Sequence, residues 1–223
     1  MTGCGVCGRP LATETAGCRN PLCASASRWF HWNVAVAERS GLLESALNAY
    51  KYEGDRSRAR VFGTMLAGYL VQRRRLLRGF DLVVASPTFV GPGGRDFDHV
   101  RLMLTEAALR TAPGDGPPFD LGGVPAIVKT GPTPRLAGRG HAERRRLAAE
   151  RLRPALRVPD PRRTAGKRLL VVDDVFTDGR TLDEVARALR LQGGASEVCG
   201  LALCRQPWRE QADRPAGPRP QRS

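Results

Sequence analysis

Asp173 and Asp174 stand side by side at the end of an apolar run, and the chain soon reads Thr177, Asp178, Gly179, Arg180, Thr181. Adjacent carboxylates cannot bind a phosphate, but they accept hydrogen bonds from neighbouring sugar hydroxyls. The loop that follows suits an anion. Its glycine lets the backbone close around a bound group, and a helix starting there turns free N–H groups and the positive end of its dipole toward the loop. Helix capping alone would need one carboxylate, not two followed by a glycine turn. The chemistry these residues could do is recognition of a ribose that carries a phosphate.

A second set is Cys4, Cys7, Cys18 and Cys23, spaced C-x2-C and, further on, C-x4-C. The first residues, Met-Thr-Gly-Cys-Gly, have neither the basic nor the apolar region of a secretion signal. In that setting four thiols predict a tetrahedral thiolate zinc site rather than disulfides. A segment this short cannot bury its own core, so the metal would fold it. Gly3, Gly5, Gly8 and Gly17 supply tight turns around the ligands, and His31 is a substitute ligand. Cys199 and Cys204 lie in an apolar stretch and read as core.

These residues need elements to position them. Leu169 to Val172 form a continuous apolar run, which predicts a strand of a parallel sheet buried on both faces and stopped by the two acids. Leu182, Val185, Ala186 and Leu189 recur at helical spacing, so a helix begins near Thr181. Asp81 to Ser86 is the first core strand, Ala126 to Lys129 a short second one, and Val198 to Leu203 the last. Between them Pro87 to Gly94 has the composition of a ligand loop, and Val100, Met103, Leu104 and Ala107 mark a helix. Two more helices are expected, one over Leu42 to Tyr50 and one from Arg58 to about Arg73. Trp29, Phe30 and Trp32 either stack bases or fix the small segment to its neighbour. The arginine-rich stretch Thr130 to Arg163 is either a mobile flap containing a helix or a solvated basic helix.

Leu169 to Thr181 resembles the phosphoribosyl-pyrophosphate (PRPP) signature of type I phosphoribosyltransferases. The resemblance implies that Asp173 and Asp174 are catalytic-site acids binding ribose, and that Thr177, Asp178, Gly179, Arg180 and Thr181 hold the 5′-phosphate. Arg95, within Arg95-Asp96-Phe97-Asp98-His99, would hold pyrophosphate or else be a solvated loop arginine. The chain departs from the family at Asp178, where threonine is usual, and at Asp96, where glycine is usual. With the cysteine set and Lys51-Tyr52-Glu53-Gly54-Asp55 added, the chain from Cys4 to about Cys204 resembles the ComF family of competence-associated proteins. That implies structural Zn2+, Mg2+ brought with PRPP, and phosphoribosyl transfer, a glycosyltransferase reaction on a pentosyl group with an unidentified acceptor. It also implies alternatives: a non-enzymatic competence accessory in DNA uptake that handles single-stranded DNA or meets competence proteins, or a PRPP-sensing regulator. No residue is an obvious general base, and Thr177 stands where some members of the wider family carry an acid.

The fold expected is α/β: a phosphoribosyltransferase type I-like, mostly parallel sheet with flanking helices, plus a small N-terminal zinc ribbon. Residues 1–33 would form the ribbon, 34–207 the main domain and 208–223 a disordered basic tail. The formal net charge of +14 invites a nucleic-acid reading. All but Lys51, Lys129 and Lys167 of the 36 basic residues are arginine, however, a skew that points to composition, with an anionic small substrate as the sharper explanation. No apolar run reaches the roughly 18–20 residues of a membrane span, and a cytoplasmic location is expected.

Overall fold

A computed structural model of the chain describes residues 3–11, 13, 17–134 and 140–207. The elements run β1 (Asn33–Glu38), α1 (Gly41–Tyr52), α2 (Ala59–Gln72), α3 (Arg74–Leu77), β2 (Leu82–Ala85), α4 (His99–Ala108), β3 (Val128–Lys129), α5 (His141–Leu147), β4 (Leu156–Arg157), β5 (Arg168–Phe176), α6 (Arg180–Leu191) and β6 (Glu197–Arg205). The chain is α/β. Its main sheet has four strands in the order β1-β6-β5-β2, all pairs parallel.

The apolar run of β5 explains the layering. Successive side chains of a strand alternate faces, and Leu169, Leu170, Val171 and Val172 are all buried. Leu169 and Val171 pack with Leu182, Val185, Ala186 and Leu189 of α6, together with Cys4, Cys7, Leu22 and Phe30 from the N-terminal segment. Leu170 and Val172 pack with Leu47 and Tyr50 of α1, Phe62, Leu66 and Leu70 of α2, and Met103 and Leu104 of α4. Both faces of the sheet are therefore covered, as a parallel sheet requires.

Several expectations are corrected in detail. The acids do not end β5: it continues to Phe176 because β6 keeps pairing with it, Asp173 opposite Ala202, Val175 opposite Cys204 and Phe176 opposite Arg205. Asp81 to Ser86 is preceded by another strand, the unanticipated β1, which pairs with β6. The Ala126 to Lys129 strand shrinks to Val128–Lys129, outside the main sheet and antiparallel to Leu156–Arg157. The arginine-rich stretch packs through its apolar residues while Arg145, Arg146, Arg151 and Arg157 stay exposed. Leu147, Ala148, Leu152 and Leu156 are buried, and Arg153 makes two 2.8 Å bonds to Glu184 of α6. Residues 208–223, expected to be a tail, lie outside the described residues. No helix among the described residues is long and apolar enough to cross a membrane.

Candidate functional site

Because the four strands are parallel, their carboxyl ends open on one edge, which is where ligands sit in open α/β sheets. A cavity of about 380 Å³ lies there, and its lining includes Ser86, Arg95, Asp173, Asp174 and the whole loop Thr177 to Thr181. That volume suits a small ligand. The cations reaching it are Arg39, Lys51, Arg95, Lys129, Arg144 and Arg180, against the carboxylates Asp173, Asp174 and Asp178. The excess of positive charge selects for an anion.

Alternation along β5 sends the two adjacent acids into different surroundings. Asp174 falls on the side of α1 and α4, where Lys51 Nζ lies 2.5 Å and His99 Nε2 2.7 Å from its Oδ2. An ionised carboxylate only accepts, so His99 donates through Nε2. The His99 backbone carbonyl in turn accepts from the Tyr50 hydroxyl at 2.6 Å. Burial opposes the charge on Asp174, but Lys51 and His99 more than offset it and hold the carboxyl well below the usual range. Asp173 lies on the α6 side with Val171. Burial, and then the neighbouring Asp174, push its carboxyl up to about 7, while Ser86 hydrogen-bonds it. The pair, both at the cavity, is thus one carboxylate whose charge Lys51 and His99 support and one whose charge burial and its neighbour oppose.

The loop Thr177 to Thr181 is closed from three sides. Gly179, with φ 91°, caps α6, and a Cβ there would come 2.9 Å from the Phe176 ring and 3.2 Å from Leu22. From the N-terminal segment, Arg9 Nη2 donates to the Thr177 carbonyl at 2.7 Å and Asn20 Nδ2 to the Asp178 carbonyl at 2.9 Å. The Asp178 carboxylate is offset by neighbouring groups: Arg144 Nη1 of α5 lies 3.0 Å and His141 Nδ1 3.5 Å from its Oδ2. Asp96 is exposed and outside the cavity lining. Arg95 lines the cavity, donates to the Lys51 carbonyl at 2.9 Å and stacks 4.5 Å from the Tyr52 ring centroid.

No family model matches this chain, and no curated protein does either.

The four N-terminal cysteines come together, with ligand atoms within 4.8 Å of one another, and none is in a disulfide. The Cys7 and Cys18 sulfurs are 3.7 Å apart, matching the about 3.8 Å edge of a tetrahedron with Zn–S bonds of about 2.3 Å. The turn that delivers Cys4 and Cys7 is closed by Gly8, at φ 67°, whose N–H donates to the Cys4 carbonyl at 2.8 Å. These residues could hold a metal such as zinc. His31, the substitute candidate, groups instead with Glu197 and Cys199.

Sequence reasoning did not single out Lys51, His99, Lys129 or Arg144 as site residues. One signal was present: in a chain that writes nearly every cation as arginine, two of the three lysines line this cavity. Lysine gives a compact point charge that a planar guanidinium does not reproduce. Lys129 is half-buried, and its pKa is lowered by burial and by Arg95. Arg144 could be found only from its packing.

Proposed function

We propose that the chain is a phosphoribosyltransferase-like protein that binds PRPP through this cavity, in keeping with its resemblance to the ComF family. The observation that carries the reading is the meeting of a glycine-closed helix N-terminus, a sheet-edge carboxylate and six cations at one small cavity. Thr177 to Thr181 would hold the 5′-phosphate, Asp173 the ribose hydroxyls, and Arg95 with Lys129 the pyrophosphate. Asp174, tied to Lys51 and His99, orients those two groups and supports the ribose end of the site. Mg2+ bound with the ligand would supply positive charge at the pyrophosphate. Asp173 is the residue to hold it or its waters, since a divalent cation stabilises a carboxylate that burial has driven toward neutrality.

Transfer would displace pyrophosphate from C1 by positioning and charge stabilisation, without a protein base. Binding without turnover, as in a PRPP sensor, is the second reading, favoured by the absence of an acidic side chain at Thr177. A DNA-handling role would want open aromatic faces. Phe30 is buried, Trp32 packs edge-on to Phe80, and Trp29 has the Arg187 and Arg190 guanidinium groups over its ring, so these rings fix one layer to the next.

Calorimetry with PRPP and Mg2+ on the full chain tests the proposal. Asp173→Asn should weaken binding about 10- to 100-fold, the worth of a hydrogen bond to a charged group. Arg144→Ala should weaken it as well, because Asp178 then faces the phosphate with only His141 beside it. Absence of PRPP binding, or affinity indifferent to both substitutions, refutes the reading; release of pyrophosphate separates the enzyme from the sensor.

A further inference from the structure

At the opposite edge of the sheet, the amino ends of the strands, three ligand-type side chains converge from separate parts of the chain. His31 lies just before β1, while Glu197 and Cys199 are the first and third residues of β6. The His31 backbone N–H donates to the Val198 carbonyl at 2.9 Å, which holds this part of the chain against β6. Glu197 and Cys199, two apart on one strand, share a face. One ligand atom from each of the three lies within 4.8 Å of the others.

We propose that His31, Glu197 and Cys199 form a second metal site, for a zinc-type divalent cation, separate from the four-cysteine cluster. The donors are an imidazole nitrogen, a carboxylate oxygen and a sulfur, the mixture that borderline-soft zinc accepts. The carboxylate is already oriented for the task. Arg168 Nε donates to Glu197 Oε2 at 2.5 Å, which leaves Oε1 toward the Cys199 sulfur, 3.4 Å away. Hydrogen-bonded ligating carboxylates of this kind are usual around metals. Cys199 is fully buried, Glu197 partly so, and His31 exposed, so the cation enters from the solvent side and the imidazole closes over it. Ligand separations in a tetrahedral site are about 3.3–3.8 Å, a short contraction that rotation of the exposed His31 side chain supplies.

Binding forms Zn–N, Zn–O and Zn–S contacts while the Cys199 thiol loses its proton to solvent. One thiolate and one carboxylate then balance the charge of the cation. Three protein ligands leave a fourth position for water, which makes the site exchangeable, unlike a closed four-thiolate site. Its mechanical effect is to staple the entry of β1 to the start of β6, at the point where the cysteine-rich segment joins the sheet.

Zinc titration of the full chain against a chromophoric chelator provides the test. The wild type should take up two equivalents, one of them labile. His31→Ala should lose the labile equivalent or bind it at least about 10- to 100-fold more weakly, the loss seen even for removal of a supporting partner, while keeping the tight one. With Co2+ as probe, the labile equivalent should bring a thiolate charge-transfer band that Cys199→Ser abolishes. If Cys199→Ser does not fold, His31→Ala still decides, because His31 is exposed. A single equivalent in the wild type, or a second one held with unchanged affinity in His31→Ala, overturns the proposal.

Discussion

Adjacent Asp173 and Asp174 look equivalent in the sequence and differ in the structure: both line the cavity, but strand alternation pairs only Asp174 with Lys51 and His99. The pH dependence of stability follows with opposite signs. Asp173 has its folded pKa raised from 3.8 to about 7, so folding favours its protonated form, and the stability this gives is lost as pH rises from near 4 to 7. Asp174 is depressed, so its contribution is complete above the unfolded value and disappears on acidification. Asp173→Asn should therefore raise the melting temperature at pH 8, by about 2–4 °C if the relief is ~1 kcal/mol, and give no gain near pH 4. Melting curves of both proteins across that range check it; a gain independent of pH would mean that charge on Asp173 is not the cause. The sequence identified these two residues and their loop through chemistry alone. It could not divide their roles, since that depends on which helices cover which face.

The elements divide by how local their signals are. β5 and α6 were legible because a fully apolar run and a helical repeat sit next to each other around a glycine turn. β1 was missed: Asn-Val-Ala-Val-Ala-Glu is short and half-buried, and only its long-range partner β6 makes it a strand. The packing of the arginine-rich stretch was equally hidden, since its few apolar residues are outnumbered by arginines and its anchor, Glu184, lies on α6. The cysteine segment was predicted as a separate ribbon, yet Arg9 and Asn20 hold two carbonyls of the loop Thr177 to Thr181. Removing a metal held by the four cysteines should thus reach the cavity. We expect Cys7→Ser, or chelation, to weaken ribose 5-phosphate binding by about tenfold or more, as the loss of two hydrogen bonds at ~1 kcal/mol each implies, while the far-ultraviolet circular dichroism changes little. Calorimetry with ribose 5-phosphate, before and after metal removal, measures this; unchanged affinity would show that the loop holds its shape unaided.

Taken whole, the molecule is a parallel sheet with α6 and the cysteine segment on one face and α1, α2 and α4 on the other. Its α/β class was readable from alternating apolar runs and helical repeats. The sheet order was not, because no local feature says that β6 lies between β1 and β5. That order has a consequence for the chain as it is being made. β1 and β5 both precede β6 in sequence, so while the ribosome is still short of Glu197 each has an open edge facing a gap that only the missing strand fills. Unpaired strand edges invite other chains. A polypeptide ending at Gly194 should pellet, whereas supplying residues 195–207 as a peptide during refolding should return part of it to the supernatant. Solubility of the shortened chain without the peptide would contradict this. The cavity, whose walls come from β2, β5 and residues on either side of them, would accordingly exist only after nearly all of its own lining has already been synthesised.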